Sequence, residues 1–171
     1  MDIAVFGSSR PRESDPEYAA ARELGRAIAA RGARVVCGGY GGVMEAACRG
    51  AAEEGGASLG IVLEGRGPAN EWVTEAVAVP DLPERLRRLR DLPRGWIVLP
   101  RGLGTLLEIA WIAESIVKGD TPPRPFVFLG GFWRPLAALL EAEASVPEGR
   151  ESLRAVLREA STAAEAVGHF R

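Results

Sequence analysis

The stretch that decides the fold is WIVLPRGLGTLLE, residues Trp96–Glu108. A short apolar strand leads into a loop that carries a proline and two glycines, and a helix follows directly, with the carboxylate of Glu108 one turn inside it. Free backbone N–H groups at a helix N-terminus favour an anion there, and so does the helix dipole. The order of strand, glycine loop and helix therefore predicts a cradle for a phosphate group.

The side chains of this loop have separate predicted roles. Gly102 and Gly104 let the backbone approach a ligand with no Cβ in the way, and Thr105 is placed either to cap the helix or to bind a phosphate oxygen. Because like charges repel, we expect Glu108 to serve whatever is attached to the phosphate rather than the phosphate itself.

Length and composition bound the class of protein. The chain has 171 residues, of which 47% are hydrophobic and 26% charged, as in one globular domain with a sizeable core. Its net charge of −2 gives no basic footprint for nucleic acid. No apolar run reaches the roughly 18 residues of a membrane span, and the N-terminus lacks the apolar stretch of a signal peptide. We therefore expect a cytoplasmic protein without a membrane or nucleic-acid partner.

The rare residue types argue against several kinds of chemistry. The single histidine, His169, stands near the C-terminus and is interpreted as part of a frayed tail, which disfavours a catalytic triad or a histidine-rich metal site. The single lysine, Lys118, would have to form the Schiff base of a pyridoxal-phosphate enzyme, and nothing around it suggests that role. Cys37 and Cys48 are expected to be buried apolar residues rather than a disulfide or a metal site.

Apolar runs alternate with segments of helical spacing along the whole chain, which predicts βαβ units. We expect one doubly wound α/β domain over residues 1–171, Rossmann-like, with a mostly parallel sheet and helices on both faces. Predicted strands are Ile3–Phe6, Val35–Cys37, Ser58–Leu63, Trp72–Val79, Trp96–Leu99 and Pro125–Leu129. Predicted helices are Pro16–Arg31, Val43–Glu54, Asp81–Leu92, Thr105–Val117 and Trp133–Ala144. From Glu148 onward the pattern allows either one helix, or a short strand near Ala155–Leu157 followed by a helix from Thr162.

Three glycine-rich loops, at residues 7–9, 38–42 and 100–104, each follow a predicted strand. Ligands of doubly wound sheets bind at the carboxyl ends of the strands, so these loops should converge on one site. Their combination favours binding of a nucleotide or a phosphate ester. No loop matches the dinucleotide fingerprint or the P-loop, which disfavours an NAD enzyme and an ATPase.

Two carboxylates and an arginine cluster complete the candidate site. Glu45 and Glu108 stand early in the helices that follow two of these loops, where the helix dipole alone can explain a carboxylate. On loops that meet, the pair suggests a site for sugar hydroxyls or for a developing positive charge. The segment 81–94 carries five arginines; most should be solvated helix surface, and spacing alone does not show which one turns inward.

These residues resemble the Lonely Guy (LOG) family of nucleotide phosphoribohydrolases, many of whose members carry the label "lysine decarboxylase". The family pattern P-G-G-x-G-T-x-x-E is similar to Pro100–Glu108, and G-G-x-x-G-x-M-E-A is similar to Gly38–Ala46. Arg85 stands fifteen residues before Pro100, at the place of the family's catalytic arginine. Arg101 replaces the second motif glycine, and Leu86 replaces the lysine that usually follows that arginine.

The resemblance implies hydrolysis of the N-glycosidic bond of a nucleoside 5′-monophosphate, AMP-like, to free base and ribose 5-phosphate. Glu108 would stabilise an oxocarbenium-like transition state and Arg85 would neutralise charge on the base or the phosphate, with no cofactor or metal. It also implies a homodimer, and we expect the helix near Leu106–Val117, with Trp111, to form its interface. The predicted substrate-binding residues are Gly7, Ser8, Ser9, Gly38, Gly39, Met44, Glu45, Pro100, Arg101, Gly102, Gly104 and Thr105.

Three other functions stay open at the level of sequence. A non-catalytic nucleotide or cofactor carrier is favoured if Arg101 blocks the base or the water. A DNA-binding Rossmann protein is disfavoured by the net negative charge, and a pyridoxal-phosphate decarboxylase by the single lysine.

Overall fold

Seven parallel strands form one sheet in the computed structural model of the chain, which describes residues 1–170. The order across the sheet is β4-β3-β2-β1-β5-β6-β7. The strands are β1 Asp2–Phe6, β2 Arg34–Cys37, β3 Ser58–Leu63, β4 Glu75–Val79, β5 Trp96–Val98, β6 Phe126–Leu129 and β7 Leu157–Ala160. The helices are α1 Pro16–Ala29, α2 Val43–Glu53, α3 Leu82–Asp91, α4 Leu103–Val117, α5 Arg134–Glu143, α6 Pro147–Val156 and α7 Ala163–Gly168, with a 3₁₀ turn at Gly131–Trp133.

Helices cover both faces of the sheet, as the sequence predicts. Ile3 and Val5 of β1 point into a core layer formed with α1, α2 and α7, whereas Ala4 and Phe6 point into a second layer under α3 to α6. Strands buried on both faces need apolar residues at every position, which is why β1, β2 and β5 appear in the sequence as short continuous apolar runs. The prediction of a doubly wound α/β fold is confirmed.

The path of the chain creates a crevice beside β1. From β1 the chain builds β2, β3 and β4 on one side, and then returns through α3 to place β5 on the other side of β1. The strands β1 and β5 are neighbours, and the loops that follow them lead to helices on opposite faces of the sheet. This switch in strand order is where open parallel sheets bind their ligands.

Most elements differ from the sequence prediction by one or two residues at a boundary, and the starts of β4 and α4 differ for identifiable reasons. The strand predicted to start at Trp72 starts at Glu75, because the preceding residues bond to β3 through side chains: the Ser58 hydroxyl donates to the Trp72 carbonyl, and the Thr74 hydroxyl donates to the Ser58 carbonyl. Helix α4 starts at Leu103 rather than Thr105, since the Gly102 carbonyl already accepts the first helical hydrogen bond. Thr105 is therefore inside the first turn and does not cap it.

The C-terminal segment follows the second alternative, with the strand at Leu157–Ala160 and a helix after it, although helix α6 precedes that strand. The prediction of a frayed tail around His169 was wrong. Phe170 is 1% exposed and packs beside Gly95, and its carbonyl accepts a hydrogen bond from Arg31 at 3.0 Å.

Within residues 1–170, no helix has the length and apolar character needed to cross a membrane.

Candidate active site

A cleft of about 910 Å³ opens at the carboxyl ends of the central strands, at the crevice between β1 and β5. Its walls come from all three glycine-rich loops, so the predicted convergence of these loops is present. The predicted site residues that line it are Gly7, Ser8, Ser9, Gly38, Met44, Arg85, Pro100, Arg101, Gly102, Gly104, Thr105 and Glu108.

Two predicted binding residues do not line this cleft. Gly39 turns toward the neighbouring strand, with φ +77° and its Cα side against Gly60 and Val62. The Glu45 carboxylate accepts a hydrogen bond from the Tyr18 hydroxyl at 2.8 Å, on the side of α1. Neither residue faces the cleft. Gly39 contacts β3 and Glu45 contacts α1, so both hold the loop at residues 38–42 in place.

The N-terminus of α4 packs tightly against the loop that follows β1. Gly102 has φ +105°, and a Cβ there would lie 2.8 Å from the Thr105 hydroxyl oxygen and 3.2 Å from Ser8 Cα. Only glycine fits such a backbone at such a distance. The residue before it, Arg101, has φ +68° although it is not glycine.

Thr105 carries a polar atom that lacks a partner. The residue is 2% exposed, and its hydroxyl has no hydrogen-bond partner among the described residues. Leaving a buried hydroxyl unpaired costs about 1–3 kcal/mol, so such a group calls for an explanation. Because Thr105 lines the cleft in the first turn of α4, a ligand oxygen placed at that helix N-terminus would supply the missing partner.

Arg85 is the arginine of α3 that lines the cleft. Its Nε donates to the Ile61 carbonyl at 2.8 Å and its Nη2 to the Gly38 carbonyl at 3.1 Å, while its guanidinium lies 5.6 Å from the centre of the Tyr40 ring. A Cβ on Gly38 would approach Nη2 to 1.8 Å, so any side chain at that position would displace the guanidinium. These contacts fix the guanidinium and leave Nη1 without a protein acceptor among residues 1–170.

Arg87 and Arg88 remain at the surface, as the sequence leads one to expect, whereas the Arg90 side chain is 14% exposed and donates to the Ser115 hydroxyl of α4, outside the cleft. Arg87 and Arg88 pair with Glu84, and Arg90 pairs with Asp91, all on α3 or at its end. Spacing along the helix could not separate these from Arg85, because the difference lies in what faces each position across the sheet.

Glu108 is a carboxyl group buried in the cleft. It is 9% exposed, and its carboxylate oxygens form no hydrogen bond with the described residues. Burial raises its pKa to about 7, and the charge of Arg85 offsets part of that rise. A carboxyl that titrates near neutrality is available both as an anion and as a proton carrier, which is the property that general acid–base groups need.

Several lining residues escaped the sequence analysis, among them Tyr40, Arg66, Arg10, Asp15 and Glu17. Arg10 stands at the end of the predicted first loop, but Arg66 lies on the connection between β3 and β4, where no motif marks it. Asn70 does not line the cleft, but its side-chain amide donates to the carbonyls of Gly39 and Tyr40 in the second glycine-rich loop. It is the sole asparagine of the sequence, and nothing else in the sequence marks it.

The site offers no obvious metal centre. Within residues 1–170, no group of three or more histidine, cysteine or acidic side chains could hold a metal ion. Cys37 and Cys48 are buried and unbridged, with their sulfur atoms 3.5 Å apart, which confirms their interpretation as core residues.

Comparison with known proteins shows the family of the chain. Residues 1–117 match the model of the SLOG cluster4 family. The chain belongs to that family. The cytokinin riboside 5′-monophosphate phosphoribohydrolase of Mycobacterium tuberculosis is 32% identical over 126 residues, covering 70% of this chain and 67% of the relative. The enzyme of the same name from Oryza sativa subsp. japonica is 30% identical over 174 residues, covering 96% of this chain and 70% of the relative. The resemblance to LOG proteins is thereby confirmed.

Solved structures show the same fold. The molybdenum cofactor carrier protein of Chlamydomonas reinhardtii superposes with a TM-score of 0.76 at 24% identity, covering 98% of this chain and 93% of the carrier. The molybdenum cofactor-binding protein of Rippkaea orientalis gives the same TM-score and identity. The fold of this SLOG protein thus occurs in chains that differ widely in sequence.

Proposed function

We propose that the protein hydrolyses the N-glycosidic bond of a nucleoside 5′-monophosphate to free base and ribose 5-phosphate. The observation that supports this most is Glu108, a buried carboxyl with a pKa of about 7, beside the fixed cation of Arg85 in one cleft with the α4 N-terminus. The proposal is also supported by the two relatives described above, which are named as phosphoribohydrolases.

The phosphate occupies the N-terminus of α4 in this proposal. Gly102 and Gly104 expose backbone N–H groups, the Thr105 hydroxyl gains the partner that it lacks, and Ser8 and Ser9 close the cradle from the loop after β1. A 5′-phosphate held there directs the ribose into the cleft toward Glu108.

Glu108 acts on the ribose. Cleavage of the bond between C1′ and the base nitrogen leaves positive charge on the sugar ring, and a nearby carboxylate stabilises that charge. The base departs with the electrons of the broken bond, water bonds to C1′, and one proton of that water passes to the base, either directly or through Glu108. Arg85, held by two backbone carbonyls, offers Nη1 to the negative charge that develops on the base.

The decisive experiment is to incubate the protein with AMP, GMP, IMP, CMP and UMP, and to look for free base and ribose 5-phosphate by chromatography. Thermal melts with AMP and adenosine test the phosphate cradle separately. A ligand at a hundredfold excess over its Kd raises the free energy of unfolding by about 2.7 kcal/mol, and we expect that shift from AMP only. Equal shifts from AMP and adenosine would contradict the cradle.

We also propose that the protein is a homodimer. The outer face of α4 exposes a run of large apolar side chains, including Leu103 at 83%, Leu107 at 41% and Trp111 at 37% exposure. Interfaces are enriched in such aromatic and aliphatic groups. Light scattering should give about twice the monomer mass, and Trp111→Glu should return it to the monomer value.

The cytoplasmic location stays a prediction from the sequence.

A second candidate function is a nucleotide or cofactor carrier on the same scaffold. Arg101 favours it: this residue replaces a motif glycine and lies at the cleft, 3.7 Å from Glu17 on the opposite rim. Molybdenum cofactor carriers share the fold. Stabilisation by nucleotides with no release of base from any monophosphate would select the carrier over the hydrolase.

A further inference from the structure

The cleft has two ends of different character, set by the order of the strands. The phosphate cradle lies where β1 and β5 end, whereas Arg66 follows β3, three positions from β5 in the sheet. Neighbouring strands are about 4.8 Å apart, so the two ends are separated by roughly 14 Å. If the phosphate and ribose lie as proposed above, the base must point toward this far end, which we call the distal wall and define by Tyr40, Arg66 and Arg85.

Backbone acceptors at the distal wall are already used. The carbonyls of Gly38 and Ile61 accept from Arg85. The carbonyl of Gly39 accepts from the Asn70 backbone N–H at 2.8 Å and from its side-chain amide at 3.1 Å, and the carbonyl of Tyr40 accepts from the same amide at 2.8 Å.

Donors at the distal wall are free. Arg85 keeps Nη1, as described above. The Tyr40 hydroxyl accepts from the Leu63 N–H at 2.9 Å, which leaves its own proton available. Arg66 lines the cleft, and its guanidinium makes neither an ion pair nor a hydrogen bond with any described residue. The wall that would meet the base therefore presents donors, and its nearby backbone acceptors are occupied.

We propose that this wall recognises a 6-oxopurine, so that GMP and IMP are preferred over AMP. The inference rests on the proposed function. Guanine and hypoxanthine present O6 and N7 side by side, and an arginine donates to both at once. Adenine presents an amino group in place of O6, so that a donor meets a donor. Arg66 is the residue that determines this specificity, and Arg85 lines the same cleft.

The test measures Kd by calorimetry and kcat/KM by release of base for GMP, IMP and AMP. A bidentate arginine contact discriminates between bases by roughly fivefold to a hundredfold, and we expect GMP and IMP to exceed AMP by that factor. IMP serves to separate recognition of the 6-oxo group from recognition of the 2-amino group of guanine.

Two matched variants sharpen the test. Arg66→Gln places an amide there, which pairs with adenine N6 and N7, so the ratio of GMP to AMP should fall and even reverse. Arg94→Gln removes another exposed arginine without a side-chain partner, outside the cleft, and should leave the ratio unchanged.

The outcomes separate this inference from the proposed function. A wild type that prefers AMP, or an Arg66→Gln ratio equal to that of wild type, overturns the 6-oxopurine inference while hydrolysis still stands. Preferred binding of GMP and IMP without release of base supports the recognition and overturns the hydrolase. Absence of binding by every monophosphate overturns both.

Discussion

Glu45 and Glu108 stand at corresponding places in the sequence, each in the first turns of a helix that follows a glycine-rich loop, yet they have different surroundings. Glu45 is half-buried and accepts a hydrogen bond from Tyr18. Glu108 is buried in the cleft, and its pKa is raised to about 7. The position of a carboxylate along a helix therefore does not assign its role, because the neighbouring elements decide whether it is paired or left facing a cavity.

The cause of the difference lies in the sheet. Helix α2 packs against α1, which brings the Tyr18 hydroxyl to the first turn of α2. Helix α4 begins beside the switch point between β1 and β5, and its first turns line the cleft. A carboxylate on α4 therefore keeps its free acceptor oxygens, and a carboxylate on α2 becomes part of the scaffold.

The largest expected effect comes from neutralising Glu108, with Glu45 neutralised in the same way as the control. Glu108→Gln keeps the size of the side chain and removes the charge that stabilises the sugar cation, so the rate of base release should fall by about 10²–10³. Glu45→Gln can still accept from Tyr18 and should change the rate little. Chromatography of the products gives the readout. Equal losses in the two variants would break the comparison, and an active Glu108→Gln would mean that the wrong residue has been assigned the role.

A second prediction concerns stability and pH. The folded-state pKa of Glu108 is raised from 4.5 to about 7, so the folded chain holds its proton more tightly than the unfolded chain. Its contribution is complete below about pH 4.5, declines as the pH rises, and is lost above about pH 7. The loss corresponds to about 3 kcal/mol in the free energy of unfolding.

Urea unfolding of wild type and Glu108→Gln at pH 5 and pH 8 measures this effect. The glutamine variant has no proton to lose, so its stability should change less between the two pH values. The same slope in both proteins would show that Glu108 has an ordinary pKa and that other groups cause the dependence.

A third prediction contrasts two glycines of the cleft. In Gly38→Ala the new methyl group would collide with the Arg85 guanidinium at 1.8 Å, so we expect a loss of about 1–3 kcal/mol in stability together with reduced activity. In Gly104→Ala nothing lies within 4 Å of the new Cβ. That variant should fold at least as stably as wild type, since alanine suits a helix better, and its only expected defect is weaker binding of phosphate. Melting curves with and without AMP distinguish the two.

How far the sequence could predict this molecule depends on the range of the interactions. The alternation of strands and helices and the place of the cleft followed from local patterns, because apolar runs and glycine loops act within a few residues. Arg85 needed the family resemblance, since five arginines share its segment and only contacts with Gly38 and Ile61 across the sheet distinguish it.

Other features could not be predicted because they depend on distant packing. Arg66 lies on a loop with no motif, and it reaches the cleft only because β3 is next to β2. The burial of Phe170 depends on its fit beside Gly95, far away in the sequence. The pairing of Glu45 depends on Tyr18 of the preceding helix. In each case the sequence shows the residue, but its partner becomes known only from the fold.

The smallest expected effect tests the residue that departs from the motif glycine. Arg101 has φ +68°, a backbone conformation that costs a side-chain-bearing residue about 1 kcal/mol relative to glycine. Its ion pair with Glu17 at 3.7 Å gives little in return, because the Arg101 side chain is 68% exposed. Arg101→Gly should therefore be more stable than Arg101→Ala by about 1 kcal/mol, since both lose the guanidinium and only glycine relieves the backbone. Both variants should bind AMP more weakly than wild type, by about 1 kcal/mol, if the guanidinium assists the phosphate. Tighter binding in both would instead identify Arg101 as an obstruction at the cleft and would favour the carrier function, and equal stability of the two variants would remove backbone strain from the account of this loop.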